Sequence, residues 1–150
     1  MEIKKILFPT DFSEVSLYAL QFANDIARRY GSKLYLLHVI YDVVKVGGWF
    51  VPHASLDEMY KDTEKGAKKE MDRYGLEELR GYKDVERSVV RGVPYEEIIK
   101  FANKEKADLI IMGTHSREGM GKILFGSTAA HVVRNAPCPV LAVRLPKYKE

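Results

Sequence analysis

The sequence predicts an α/β fold, an open doubly wound five-stranded parallel sheet with helices on both faces. Apolar runs of strand length alternate with amphipathic helical segments along the chain. Those runs are nearly continuous, as strands covered on both faces require. Five strands in this alternation are too few for a barrel, and short right-handed crossovers then favour an open sheet.

Each element has its own signals. "IKKILFP" (3–9) is the first strand. Asp11 or Ser13 can cap the helix after it, with Glu14 completing an Asp-x-x-Glu box. Val15, Tyr18, Phe22, Ile26 and Tyr30 mark its expected core face, and Gly31 offers the stop. "KLYLLHVI" (33–40) is the second strand, and a helix over 55–74 turns Leu56, Met59, Tyr60, Ala67, Met71 and Tyr74 inward. "DVERSVVRG" (84–92) alternates more strongly, as a strand with a wetter face or an edge position does. Pro94 suits the first turn of a third helix, whose stripe is Tyr95, Ile98, Ile99 and Ala102. "ADLIIMG" (107–113) is the fourth strand. A helix from Ser127 to Asn135 follows, using Ala129, Ala130, Val132 and Val133, and "PVLAVRL" (139–145) is the fifth strand.

At 150 residues and 46% apolar, the chain suits a single domain over 1–150. No apolar run approaches the roughly 20 residues of a membrane span, and the start does not resemble a signal peptide. Cys138 is the only cysteine, which excludes an internal disulfide. A cytoplasmic location with no membrane role is expected. Basic residues number 24 against 21 acidic and are scattered, so solvated faces explain them better than a nucleic-acid patch.

In doubly wound sheets ligands bind beyond the carboxyl ends of the strands, where strand order reverses. "PTDF", "HVIYD" and "GTHSREGMG" are the tips that meet there. The last does not fit G-x4-G-K-[S/T], since Gly121-Lys122 is followed by Ile123; nor does it fit G-x-G-x-x-G, since Gly119-x-Gly121 leads to Leu124. What remains is Gly113, a glycine-containing loop, and Gly126-Ser127-Thr128 opening a helix. Unpaired amides and hydroxyls at a helix start make an anion site. A plain turn and N-cap account for the same residues equally well.

The residues then carry a resemblance over essentially the whole chain. "ILFPTDFS", "LHV" closing strand two, Gly92-x-Pro94, "ADLIIMGTHSREG" and "GSTAAHVVRNAPCPVLAV" are similar to the universal stress protein family. Its ATP-binding branch carries G-x2-G-x9-G-[S/T]. Here Gly113-Thr114-His115-Ser116, nine residues, then Gly126-Ser127 keep the spacing, with Ser116 where the second glycine stands in the family.

The resemblance implies a Rossmann-like fold of the adenine nucleotide alpha hydrolase type and a nucleotide-dependent switch or sensor in the stress response, binding ATP or AMP. Pro9, Thr10 and Asp11 would border the adenosine, and the main chain near Val39 would read the adenine edge. Gly113 would lie by the ribose, and His115, Ser116, Gly126, Ser127 and Thr128 by the phosphates, with Met112 also counted among the nucleotide-binding residues. A Mg²⁺ would be held mainly by phosphate oxygens and water. Hydrolysis is expected to be slow or absent, because no general base is evident. The last strand reads as an apolar sheet edge, and the family commonly dimerises there, which implies a homodimer through Val140, Leu141, Ala142, Val143 and Arg144.

The alternative is a stress protein that has lost nucleotide through Ser116 and acts as a dimeric interaction module. A nucleotidyl-transferring enzyme would need S-G-G-x-D-S or H-I-G-H after strand one, and "PTDFSEVS" has neither. A Ser-His-Asp hydrolase lacks its G-x-S-x-G elbow. His38 reads as a packed, hydrogen-bonded histidine. His53 and His131 read as residues of a loop and a helix without ligand-like partners, and Cys138 as inert packing. Arg117 and Lys122 are loop cations that either screen phosphate or stay solvated. Residues 42–55, with Gly47-Gly48 and Trp49-Phe50, read equally well as a cover for the site or as a subunit contact.

Overall fold

The computed structural model describes residues 1–42, 44, 53–114 and 127–148. Its elements run β1 (Lys5–Pro9), α1 (Glu14–Tyr30), β2 (Lys33–Tyr41), α2 (His53–Arg73), β3 (Val85–Gly92), α3 (Pro94–Glu105), β4 (Leu109–Gly113), α4 (Ser127–Asn135) and β5 (Val140–Val143). The strands form one sheet in the order β3-β2-β1-β4-β5, and each paired neighbour is parallel. Chain order therefore reverses between β1 and β4, the doubly wound arrangement the sequence predicts. β3 and β5 stand at the two ends of the sheet.

Successive strand side chains point to opposite faces, which divides the core in two. Ile6, Phe8, Leu34, Leu36, Ile111 and Val143 pack beneath α1 and the end of α2. Leu7, Tyr35, Leu37, Ile110 and Met112 pack beneath α3 and α4 with Ile98, Ala102, Ala129 and Val132. The near-continuous burial of β1, β2 and β4 follows from cover on both faces.

The helix faces partly differ from expectation. On α1 the buried residues are Val15, Ser16, Ala19, Leu20, Ala23 and Ala27, while Phe22 is 40% and Tyr30 49% exposed. Small alanines let the helix axis approach the sheet, and the large aromatics are displaced to the flank. Met59 on α2 and Ala130 and Val133 on α4 likewise face outward. Ser13, not Asp11, caps α1, its hydroxyl accepting the Ser16 amide at 3.2 Å. Gly31, at φ 65°, ends the helix in the left-handed conformation.

Two cross-braces fix the layers. Arg87 on β3 donates from one guanidinium nitrogen to the carbonyls of Met71 at 2.7 Å and Tyr74 at 2.6 Å, closing the C-terminal end of α2. At the amino end of the sheet, one Asp108 carboxylate oxygen accepts the amides of Lys4 and Lys5, both at 2.9 Å. The sequence-predicted hinge Gly47-Gly48, the Trp49-Phe50 pair and the loop residues His115, Ser116, Arg117, Gly119, Gly121, Lys122 and Gly126 lie outside the described residues.

Candidate functional site

Chain order reverses between β1 and β4, and in such sheets ligands bind in the crevice beyond the carboxyl ends of the strands at that point. The β1–β2 ladder ends at Pro9–Leu37, where the Thr10 amide donates to the Leu37 carbonyl at 2.8 Å. β2 continues, pairing with β3 as far as Tyr41–Gly92. Main-chain groups of alternate residues share a side of a strand, so Val39 turns its N–H and C=O to the β1 side, past the point where β1 leaves the sheet.

The loop after β1 is tightly held. Thr10 is buried, and its hydroxyl lies 2.6 Å from Ser16 Oγ, which lies 2.8 Å from the Tyr74 hydroxyl. The Phe12 amide donates to Thr10 Oγ1 at 3.0 Å. His38 Nδ1 is 2.7 Å from the Thr10 carbonyl; a carbonyl only accepts, so that nitrogen carries the proton. Asp11 is exposed between these anchors, and its Oδ1 accepts the Ser13 amide at 3.0 Å. Burial pushes the Tyr74 phenol above its ordinary range, the bonds to Ser16 and Thr10 pulling the other way, so the hydroxyl stays neutral.

Phe12 sits at φ 64°, in the left-handed region. For a residue with a Cβ this conformation costs about 1–2 kcal/mol. It persists where the surroundings over-determine it. Its ring stacks on His38 at 4.3 Å between centroids, 25° from parallel, and meets Tyr74 edge-on at 5.4 Å.

On the β4 side, Gly113 is required by packing. A Cβ there would stand 3.1 Å from Val15 Cγ1 and 3.3 Å from the Ser16 nitrogen. Thr114 follows, its amide donating to the Val143 carbonyl at 2.9 Å. Among the described residues its Oγ1 is buried without a hydrogen-bond partner. α4 runs antiparallel to the strands it connects, so Ser127 and Thr128 open it on the carboxyl side of the sheet.

The structure thus gathers Pro9, Thr10, Asp11, Val39, Gly113, Ser127 and Thr128 at the carboxyl ends of the strands. Met112 precedes the last residue of β4, and its side chain is buried in the core beneath α3 and α4. His115, Ser116 and Gly126 lie outside the described residues. Sequence reasoning missed Phe12, Ser16 and Thr114, and took Tyr74 only as core. Hydroxyl residues crowding a strand end in "PTDFSEVS" were the available signal; nothing local marks Tyr74. His38 is hydrogen-bonded as expected but only half-buried. His131 is exposed and stacks on Tyr95 at 4.4 Å, and His53 begins α2 instead of lying in a loop. Cys138 packs against the second core, and burial raises its thiol pKa. No described helix is long and apolar enough to cross a membrane.

Comparison with known proteins agrees with this architecture. The pattern of the universal stress protein family matches residues 2–144. Universal stress protein MJ0531 of Methanocaldococcus jannaschii is 39% identical over 150 residues, covering 96% of this chain and 84% of that protein. The solved structure of hypothetical protein MJ0577, a universal stress protein of the same organism, has a TM-score of 0.83 at 32% identity, over 99% of this chain and 100% of that one. The universal stress protein from Archaeoglobus fulgidus in complex with dAMP shares the fold, with a TM-score of 0.64 at 24% identity over 95% of this chain and 99% of that one. With the strand order, the strand-end crevice and a match along nearly its whole length, this chain belongs to the universal stress protein family.

Proposed function

We propose that the protein binds an adenine nucleotide, ATP or AMP, at the β1–β4 crevice and acts as a nucleotide-dependent switch in the stress response of a cytoplasm. The carrying observation is the divergence of β1 from β2 after Leu37. It leaves the Val39 main chain, one donor and one acceptor, facing the gap, which matches the hydrogen-bonding edge of adenine. Asp11 stands exposed at the same strand end, and a carboxylate accepts from ribose hydroxyls while repelling phosphate. The buried Thr114 oxygen and the start of α4 at Ser127 and Thr128 supply polar partners towards the phosphates. His115, Ser116 and Gly126 complete the phosphate side in this reading, with Mg²⁺ carried on phosphate oxygens. The same fold holds dAMP in the Archaeoglobus fulgidus protein.

Equilibrium dialysis against ATP and AMP tests it. Saturable binding is expected, and an Asp11→Ala variant should bind about tenfold more weakly, the loss of a charge-assisted hydrogen bond. No binding at millimolar nucleotide overturns the reading. A Ser116→Gly variant that gains affinity greatly would show instead that this chain has lost its ligand and works as an interaction module.

A homodimer through β5 accompanies this reading. β5 is the end strand, paired on one side to β4, with Ala142 and Arg144 exposed. A second copy pairing on the open side would satisfy its remaining backbone groups. Light scattering should give twice the chain mass; a monomer independent of concentration refutes it.

A further inference from the structure

We infer that Tyr74, brought from the end of α2, is a positioning residue for the ribose-binding part of the crevice, holding Thr10 and Phe12 on either side of Asp11 and so fixing the Asp11 carboxylate. This rests on the nucleotide reading above.

The geometry supports it from two directions. On one side of Asp11, the Thr10 hydroxyl is tied through Ser16 Oγ, at 2.6 Å, to the Tyr74 hydroxyl at 2.8 Å. On the other side, the Phe12 ring lies 5.4 Å from the Tyr74 ring, edge to face, and its amide donates to the same Thr10 oxygen. A single side chain, 58 positions away from Ser16, therefore restrains both neighbours of Asp11. The carboxylate itself is exposed, and its described partner is the Ser13 amide one turn into the same loop. Removing the Tyr74 hydroxyl leaves Asp11 present beside a loosened Thr10 side chain, while the main-chain bonds of Thr10 to Leu37 and His38 remain.

Tyr74 is in turn held by its own main chain. Arg87 donates to its carbonyl at 2.6 Å and to that of Met71 at 2.7 Å. The hydroxyl that reaches Ser16 thus comes from a pinned helix end, which is what a positioning group requires. The buried environment of this hydroxyl chain makes each link costly to break, since a freed oxygen has no water to turn to.

The test separates positioning from folding. ATP and 2′,3′-dideoxy-ATP are titrated against wild type, Tyr74→Phe, Ser16→Ala and Tyr82→Phe. Wild type should prefer ATP, because only its ribose offers hydroxyls to Asp11. Tyr74→Phe and Ser16→Ala should each lose about fivefold in ATP affinity, the factor of one net hydrogen bond, while dideoxy-ATP affinity stays unchanged. Tyr82 serves as the control: its hydroxyl is bonded to the Ala27 carbonyl in the last turn of α1 and to the Ser32 carbonyl just after it. Tyr82→Phe should lower the melting temperature and leave the ratio of the two affinities intact. A Tyr74→Phe or Ser16→Ala protein that loses affinity for both ligands equally, or for neither, overturns the inference. So does a wild type that binds the two alike. A wild type that binds neither overturns the nucleotide reading itself, and the inference with it.

Discussion

Gly113 leaves little room beside Val15: a methyl group on Gly113 would stand 3.1 Å from Val15 Cγ1, closer than ordinary van der Waals contact. The last residue of β4 therefore lies close against the first turn of α1. Gly113→Ala should destabilise the protein by about 1–2 kcal/mol, the cost of an overpacked methyl that neighbours can partly accommodate. Urea unfolding measures it; an unchanged midpoint would show that the α1 start is loosely seated.

Arg87 makes the complementary prediction at the end of α2. Its guanidinium donates to two carbonyls at the end of α2 and is half-buried, and burial lowers its pKa while nearby Asp72 raises it. Replacing it with Met keeps the stem and leaves both carbonyls without this donor. A loss of about 2 kcal/mol is expected from hydrogen bonds to a charged donor. Arg87→Lys should recover only part, since an ammonium is more strongly hydrated and costs more to hold half-buried.

Legibility in the sequence follows physical lines. Element order and the parallel, doubly wound class were readable because doubly covered strands are apolar throughout, and Ser127–Asn135 was bounded by Gly126 before it and the "APCP" run after it. The core face of α1 was misread only in part: Val15, Tyr18 and Ile26 reach the core as expected, but Phe22 and Tyr30 outweigh alanine in any hydrophobic pattern and lie exposed. Ala19, Ala23 and Ala27 are buried because they are small. At the site, Pro9, Thr10, Asp11 and Gly113 were legible as strand tips. The Tyr74–Ser16 bond was not, since it joins helices far apart in sequence. Phe12 was hidden for a different reason. A bulky residue gives no sign of φ 64°, because that conformation is imposed by tertiary contacts with His38 and Tyr74.

Alkaline pH should weaken the fold. Burial holds the phenols of Tyr74, Tyr35 and Tyr82 above their ordinary range. Unfolded tyrosine ionises near about pH 10, whereas these three keep their protons to higher pH in the native state. Between the two values the native state binds more protons, so stability falls as pH rises. The contribution is complete below about pH 10 and is lost as pH climbs through the folded values. Urea midpoints measured from pH 8 upward should hold to about pH 10 and then decline, less steeply in Tyr74→Phe. Parallel curves for the two proteins would contradict the assignment to Tyr74.

Cys138 should be a slow thiol. It lies between Pro137 and Pro139, half-buried against the core beneath α3 and α4, and its pKa is raised by burial first and by the Asp108 charge second. The thiolate is the reactive form, so a raised pKa leaves less of it at neutral pH. Labelling by a disulfide reagent at pH 7.5 should speed up at least about tenfold when urea unfolds the chain and restores an ordinary thiol. Asp108→Asn adds a finer check. It removes the negative charge, so Cys138 should label faster, and it replaces the carboxylate that accepts the Lys4 and Lys5 amides with a neutral amide. Stability should then fall by about 1 kcal/mol. Faster labelling at unchanged stability would mean that charge alone couples the two residues. Labelling that matches the unfolded chain from the start would show that the thiol is not shielded by the core.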